Sequence, residues 1–185
     1  IHQSVVNSVV LEPFLLINTN ENMLAFANGQ PIPHIINNIF VPTFGMVGGT
    51  GSTISLLIAI FIFSRQKSAK QVARLSLAPG LFNINEPVIF GLPIVFNLPL
   101  MIPFVLLPAI GIYFAWLCTT LGLMSRCVVM IPWTTPPILS AWLATAGDWR
   151  AVVVQLAIIV FGVFFYLPFL KVAERVALKN SGIEN

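Results

Sequence analysis

The chain has 185 residues, 57% of them hydrophobic and only 8% charged, where soluble domains carry about 25% charge. With a mean hydropathy of +0.93, this excludes a soluble enzyme and predicts an all-α integral membrane protein, because the apolar runs are continuous and lack the short alternating segments of a β-barrel. The net charge is +3, but the cations cluster, which makes them topology signals and gives no reason to expect nucleic acid as a partner.

The chain opens at Ile1-His2 without a methionine, a basic leader or a signal peptide, and reads as a fragment or a mature chain lacking its beginning. Residues 1–28 mix Val and Leu with His2, Asn7, Glu12, Asn18, Glu21 and Asn22. That is too polar to face lipid, and a half-helix inside the protein followed by a loop is expected. Asn28-Gly29-Gln30-Pro31-Ile32-Pro33 is turn chemistry. Residues 35–63 are uncharged, yet the middle, Gly45-Met46-Val47-Gly48-Gly49-Thr50-Gly51-Ser52-Thr53, is too rich in glycine for a plain span. Glycine at that density breaks a helix or lets a second backbone approach closely. Ser52 to Phe63 reads as a helix running to a membrane boundary.

Arg65, Lys67, Lys70 and Arg74 follow with no acid among them. Positive charge beside a span marks the cytoplasmic side. The segment through Leu77 is amphipathic, with Ala69, Val72, Ala73 and Leu75 near one face, and reads as an interfacial helix that Pro79-Gly80 ends. A solvated connector is the other reading. Pro87 to Pro99 is too short for a span of roughly 20 residues and is broken by Gly91, Pro93 and Asn97. It is expected to be a re-entrant hairpin. Leu100–Gly122 is long enough to cross. Cys127–Ala146 is broken at Pro132-Trp133-Thr134-Thr135-Pro136-Pro137 and suggests a second re-entrant hairpin. Gly147-Asp148-Trp149-Arg150 is a polar turn with Trp149 placed as an interfacial anchor, and Ala151–Leu170 is the cleanest span, followed by Lys171, Glu174, Arg175 and Lys179. Two crossings then separate the two basic clusters and put both on the cytoplasmic side, provided both interrupted segments are re-entrant.

The chemistry centres on Asn83-Ile84-Asn85-Glu86-Pro87. From Pro87 to Ser125 there is no Asp, Glu, Lys or Arg, so Glu86 stands at the edge of a greasy run. A carboxylate at membrane depth is costly to bury and marks a functional site by default. A Glu at a water-exposed loop or helix end is the other reading, against which the Asn-flanked, Pro-broken context argues, because such backbone is tolerated where it lines a protein cavity. Two short, Pro-broken apolar segments are themselves a pointer to a transporter's substrate site. Cys118 and Cys127 show neither CxxC spacing nor nearby His and read as ordinary helix residues; no metal or cofactor is expected.

From Asn83 to Pro93 the sequence resembles the membrane component, enzyme IIC, of the bacterial sugar phosphotransferase system, closest to its lactose/cellobiose/diacetylchitobiose branch. Gly48-Gly49-Thr50-Gly51-Ser52, the basic helix and the break at Pro132–Pro137 carry the resemblance to that branch. It covers residues 1–185 and implies the C-terminal, sugar-binding half of a permease roughly twice as long, whose N-terminal half carries most of the homodimer contact. The resemblance further implies a multi-pass protein of the bacterial inner membrane that imports a β-linked disaccharide. A cytoplasmic IIB protein, fed by HPr and IIA, donates a phosphoryl group from its own cysteine to the sugar's 6-hydroxyl. Cys118 and Cys127 are not counterparts of that cysteine.

On the same grounds Glu86 matches the sugar-site glutamate. It would hydrogen-bond the reacting hydroxyl and act as its general base, with burial raising its proton affinity. His2 matches a second sugar-site residue near that hydroxyl. His34 has no such match and reads as structural. Asn83 and Asn85 are candidates either to read hydroxyls or to serve a helix end. Trp133 is the best stacking platform, and Thr134 and Thr135 are candidate lining residues. Two other classes remain in view: a secondary sugar transporter in which Glu86 and His2 relay protons, and an ion channel with Gly48–Ser52 as filter.

Overall fold

A computed structural model of the chain describes residues 10–180, so His2 lies outside the described residues. Every regular element among them is helical: α1 (Glu12–Ala27), α2 (Phe40–Gly45), α3 (Thr53–Phe63), α4 (Lys67–Leu81), α5 (Glu86–Gly91), a 3-10 turn (Ile94–Phe96), α6 (Leu98–Thr120), α7 (Leu139–Ala144) and α8 (Trp149–Asn180). Leu98–Thr120 and Trp149–Ala177 are long and apolar enough to cross a membrane. They match the two expected crossings, each starting two residues earlier.

These two helices are antiparallel and form the scaffold. Gly111 of α6 lies beside Ile158 of α8, and Leu107 lies beside Gly162. The missing side chains at Gly111 and Gly162 let the axes close up, the device that packs helices without a hydrophobic gradient between them and lipid. Alongside, α3 runs parallel to α8, from Ser55, which donates to the Ile159 carbonyl (3.1 Å), to Ser64, which donates to the Glu174 carboxylate. Since Gln66 also reaches the Glu174 carbonyl (3.3 Å), the cluster starting at Arg65 and the cations Lys171 and Arg175 share one end of the bundle.

The remaining elements are broken at mid-height. α2 enters from the opposite end, where Asn37 accepts from the Ile39 and Phe40 amides and so caps it, while donating to the Cys127 carbonyl. It stops beside Gly111, the middle of α6. After the glycine loop, α3 completes the traverse. α4 then turns back along α3 until Gly80 meets Leu57, and α5 returns beside it, Gly91 against Val72.

The hairpin therefore comprises α4 and α5 with its tip at Phe82–Asn85, wider than the expected Pro87–Pro99 unit. α4 also runs past Pro79-Gly80 to Leu81. Pro79 lies in its last turn, with only Gly80 and Leu81 continuing the helix beyond it. Its buried stripe is Ala69, Ala73, Ser76 and Gly80, and Leu75, placed by the sequence on the apolar face of an interfacial helix, is 79% exposed. Small residues win because α3 is close enough to exclude larger ones.

The third break mirrors the second from the other end. The arm after α6 has no helix; Val128 and Val129 both donate to the Ala144 carbonyl of α7 (2.8 and 3.1 Å), holding arm and helix together. Asp148 closes this end. It accepts from the Ser125 amide (2.7 Å) and from the Arg150 amide and side chain (3.0 and 3.1 Å), capping α8. Burial opposes the charge on Asp148, but these hydrogen bonds prevail and hold its carboxyl down at about 2.

Candidate functional site

Interrupting helices inside a bundle orphans backbone donors and acceptors that water cannot reach, and each needs a partner. The side chains at the three breaks supply them. Gly48, Gly49 and Gly51 have φ of +77°, +99° and +82°, and Ser52 follows at +51°. Such a left-handed run leaves carbonyls pointing in several directions. Tyr166 of α8, fully buried, donates to the Gly51 carbonyl (2.7 Å), Asn85 to Thr50 (2.6 Å), Thr53 to Gly48, and Ser52 to Gly45 (2.9 Å). Gly49 is required for space as well as for φ: a Cβ there would stand 2.7 Å from the Asn83 carbonyl oxygen and from Asn85 Cγ.

Asn83 joins the breaks together. It sits at the tip of the α4–α5 hairpin with φ +63°, a conformation Asn tolerates better than most residues. Its Oδ1 accepts from the Gly48 amide (2.9 Å), while its Nδ2 donates to the Trp133 carbonyl (2.6 Å) and the Thr135 carbonyl (3.1 Å). One side chain thus fastens the glycine loop and the tips of two hairpins that enter from opposite ends. From α8, the buried Gln155 donates to the Thr43 carbonyl (2.7 Å) and to Ser140 Oγ (3.0 Å), and accepts from the Ile138 amide (2.5 Å). Ile138 has φ +76°, an outlier for a β-branched residue, and this bond helps to hold it there. Neither Gln155 nor Tyr166 belongs to a recognisable motif, although they are the polar side chains of the span Ala151–Leu170.

Between the joined tips lies a cavity of about 350 Å³, walled by Trp133 and Asn83 on the hairpin tips, Thr43 on α2, Gln155 on α8, and Glu12 and Asn38 near α1. This is within the range for small-molecule sites. Trp133 leaves 63% of its surface uncovered, so its ring face is available to a ligand. Thr135 lines the cavity and Thr134, next to it, does not.

Asn83 and Asn85 have their amide nitrogens engaged with loop carbonyls, and Asn85, at the start of α5, makes no side-chain capping bond, so neither serves a helix end. Glu86 is exposed and opens α5, three residues beyond Asn83; it is not among the cavity-lining residues. The expected burial of Glu86 is not found among the described residues; the buried side chain of the motif is Asn85. His34 contacts Glu21 at 2.5 Å near the end of α1, away from the cavity lining. Cys118 and Cys127 are buried free thiols.

The class these features define is an all-helical bundle with two helices long and apolar enough to cross a membrane and interrupted helices around a mid-height cavity. Comparison with known proteins makes that specific. Residues 1–108 match the family model described as "Phosphotransferase system, EIIC". The cellobiose-specific EIIC component of Lactococcus lactis is 43% identical over 77% of this chain and 30% of its own length. The oligo-beta-mannoside-specific EIIC component of Bacillus subtilis is 36% identical over 96% of this chain and 40% of its own length. The crystal structure of the transporter ChbC, the IIC component of the N,N'-diacetylchitobiose-specific system, superposes with a TM-score of 0.92 at 35% identity, covering 98% of this chain and 43% of that one. The chain belongs to the EIIC family of the sugar phosphotransferase system. It spans 30–40% of the length of these curated relatives.

Proposed function

We propose that this chain is the C-terminal, sugar-binding half of a permease that imports a β-linked disaccharide and presents its 6-hydroxyl to a phosphorylated cytoplasmic IIB protein, itself charged through HPr and IIA. The observation that carries the reading is the convergence of three helix breaks on one cavity with an uncovered tryptophan. An apolar sugar face stacks on an aromatic ring, and hydroxyls need polar walls. Discontinuous helices around a midplane site are the general pattern of transporters.

In this reading the end carrying Arg65, Lys67, Arg74 and Lys171 is cytoplasmic, and the protein is multi-pass in the bacterial inner membrane. The two hairpins are re-entrant, α4–α5 from the cytoplasm and the Trp133 arm with α7 from outside. The homodimer contact lies in the N-terminal half. Glu86 takes the proton of the sugar hydroxyl as phosphoryl transfer proceeds, a reaction governed by positioning and charge, and His2 contributes near the same hydroxyl. Asn83 and Asn85 act by holding the loops, Trp133 stacks on the sugar, and Thr134 supports the Trp133 loop.

The test is uptake of labelled cellobiose and related β-disaccharides by cells carrying the full-length permease, with and without its IIB. Phosphorylated sugar that accumulates only with IIB is expected. Free sugar following the proton gradient without IIB would replace this reading with a proton-coupled transporter. Within the same assay, Glu86→Gln is expected to retain sugar binding and lose most phosphorylated product; product at the wild-type rate would remove Glu86 from the base role.

A further inference from the structure

The polar groups around the cavity divide into two sets. Asn83 and Gln155 are engaged as described. Thr43 Oγ1 donates to the Ile39 carbonyl (2.7 Å), Thr135 Oγ1 donates to the Pro132 carbonyl (2.7 Å), and Ser140 Oγ accepts from Gln155. These side chains maintain the backbone of the breaks. Glu12 and Asn38 are different: both line the cavity, and neither side chain hydrogen-bonds another described residue, although the Asn38 backbone amide is held by Thr19 Oγ1 (3.1 Å). Both are only partly exposed. Cavity groups without a hydrogen-bond partner among the described residues are the ones with capacity left for a ligand.

We propose that Glu12 and Asn38 form the hydroxyl-reading subsite of this cavity, and so help to determine which disaccharide the permease accepts. The proposal rests on the reading of the cavity as the sugar site. A carboxylate accepts from two neighbouring hydroxyls at once, and an amide both accepts and donates, which is the set a pyranose edge requires. Trp133, on a hairpin tip, supplies the stacking face, while Glu12 opens α1 and Asn38 stands just before α2. The assignment differs from the sequence expectation, in which Asn83 and Asn85 are candidates either to read hydroxyls or to serve a helix end. The side-chain nitrogens of those two are committed to backbone carbonyls, and the side chains of Glu12 and Asn38 have no partner among the described residues.

The experiment is calorimetric titration of the purified full-length permease with cellobiose and a panel of monodeoxy-cellobioses. Wild type, Glu12→Gln, Asn38→Ala and Trp133→Ala are compared, with thermal unfolding of each variant as the folding control. Glu12→Gln, which keeps shape and removes charge, is expected to weaken cellobiose binding roughly 10- to 100-fold, the range of a hydrogen bond to a charged group. For at least one deoxy sugar the variant and wild type should bind equally, because the lost hydroxyl and the lost carboxylate are partners. Asn38→Ala should show the same pattern with a different deoxy sugar. Unchanged affinity for the whole panel in folded Glu12→Gln and Asn38→Ala, with Trp133→Ala weakened, would overturn the subsite and leave the cavity reading standing. Wild-type affinity in Trp133→Ala as well would overturn the cavity reading and the subsite with it.

Discussion

Replacing Asn83 by glycine removes the clamp while preserving the backbone conformation, since glycine accepts φ +63° without strain. Three hydrogen bonds are lost, to Gly48, Trp133 and Thr135. At a net 0.5–1.5 kcal/mol each, the cost is about 2–4 kcal/mol. Asn83→Ala should cost about 1 kcal/mol more, because its Cβ is forced into the left-handed region. A loss of about 2 kcal/mol changes the ratio of joined to parted hairpin tips by a factor of about 30. If sugar binds only when the tips are joined, affinity falls by up to that factor. Thermal unfolding of the purified full-length protein reads the first quantity and calorimetric titration with cellobiose the second. The expected order is wild type, then Gly, then Ala. A glycine variant with wild-type melting temperature and wild-type affinity would refute the claim that Asn83 holds the site together.

Gly49→Ala should abolish sugar binding even where the protein still folds, because its Cβ would stand 2.7 Å from the Asn83 carbonyl at a φ of +99°; wild-type binding would show that the loop does not need this close approach. Trp133→Ala should weaken sugar binding by roughly 1–3 kcal/mol, by analogy with stacking of bases on aromatic rings; an unchanged binding constant would assign Trp133 to packing. The Asp148 carboxyl is held near 2, below its unfolded value. The stability it contributes, at most about 2 kcal/mol, is complete above about pH 4 and is lost as pH falls toward 2. Asp148→Asn should flatten that part of the pH–stability curve measured by thermal unfolding, and an unaltered curve would contradict it.

The long elements were legible because length and hydropathy alone decide them: Leu98–Thr120 and Trp149–Ala177 each contain an apolar stretch long enough to cross a membrane. The breaks were legible as breaks, since glycine runs and Pro-rich segments cannot continue a helix. Their partners were not. Whether α5 pairs with α4 or folds on itself depends on the fit of Val72 to Gly91, a contact between residues 19 apart that no local pattern encodes. Axis spacing places Ala69, Ala73, Ser76 and Gly80 against α3, a selection that hydrophobicity alone does not make. At the site, the Asn-Glu-Pro motif was readable, while its division of labour was not. Asn83 and Asn85 turn inward onto backbone carbonyls and Glu86 stays exposed, an outcome set by where Gly48–Thr50 and Trp133–Thr135 place their unpaired groups. Gln155 carried a faint signal, an amide inside a span. Glu12 and Asn38 carried almost none, because their distinction is having no protein partner among the described residues.

The most direct measurement is an experimental structure of the full-length permease with cellobiose bound. A glucosyl ring against the face of Trp133, inside the cavity joined by Asn83, is the result this account predicts. Density for the sugar elsewhere, with the Trp133 ring covered by protein and the cavity empty, would contradict it.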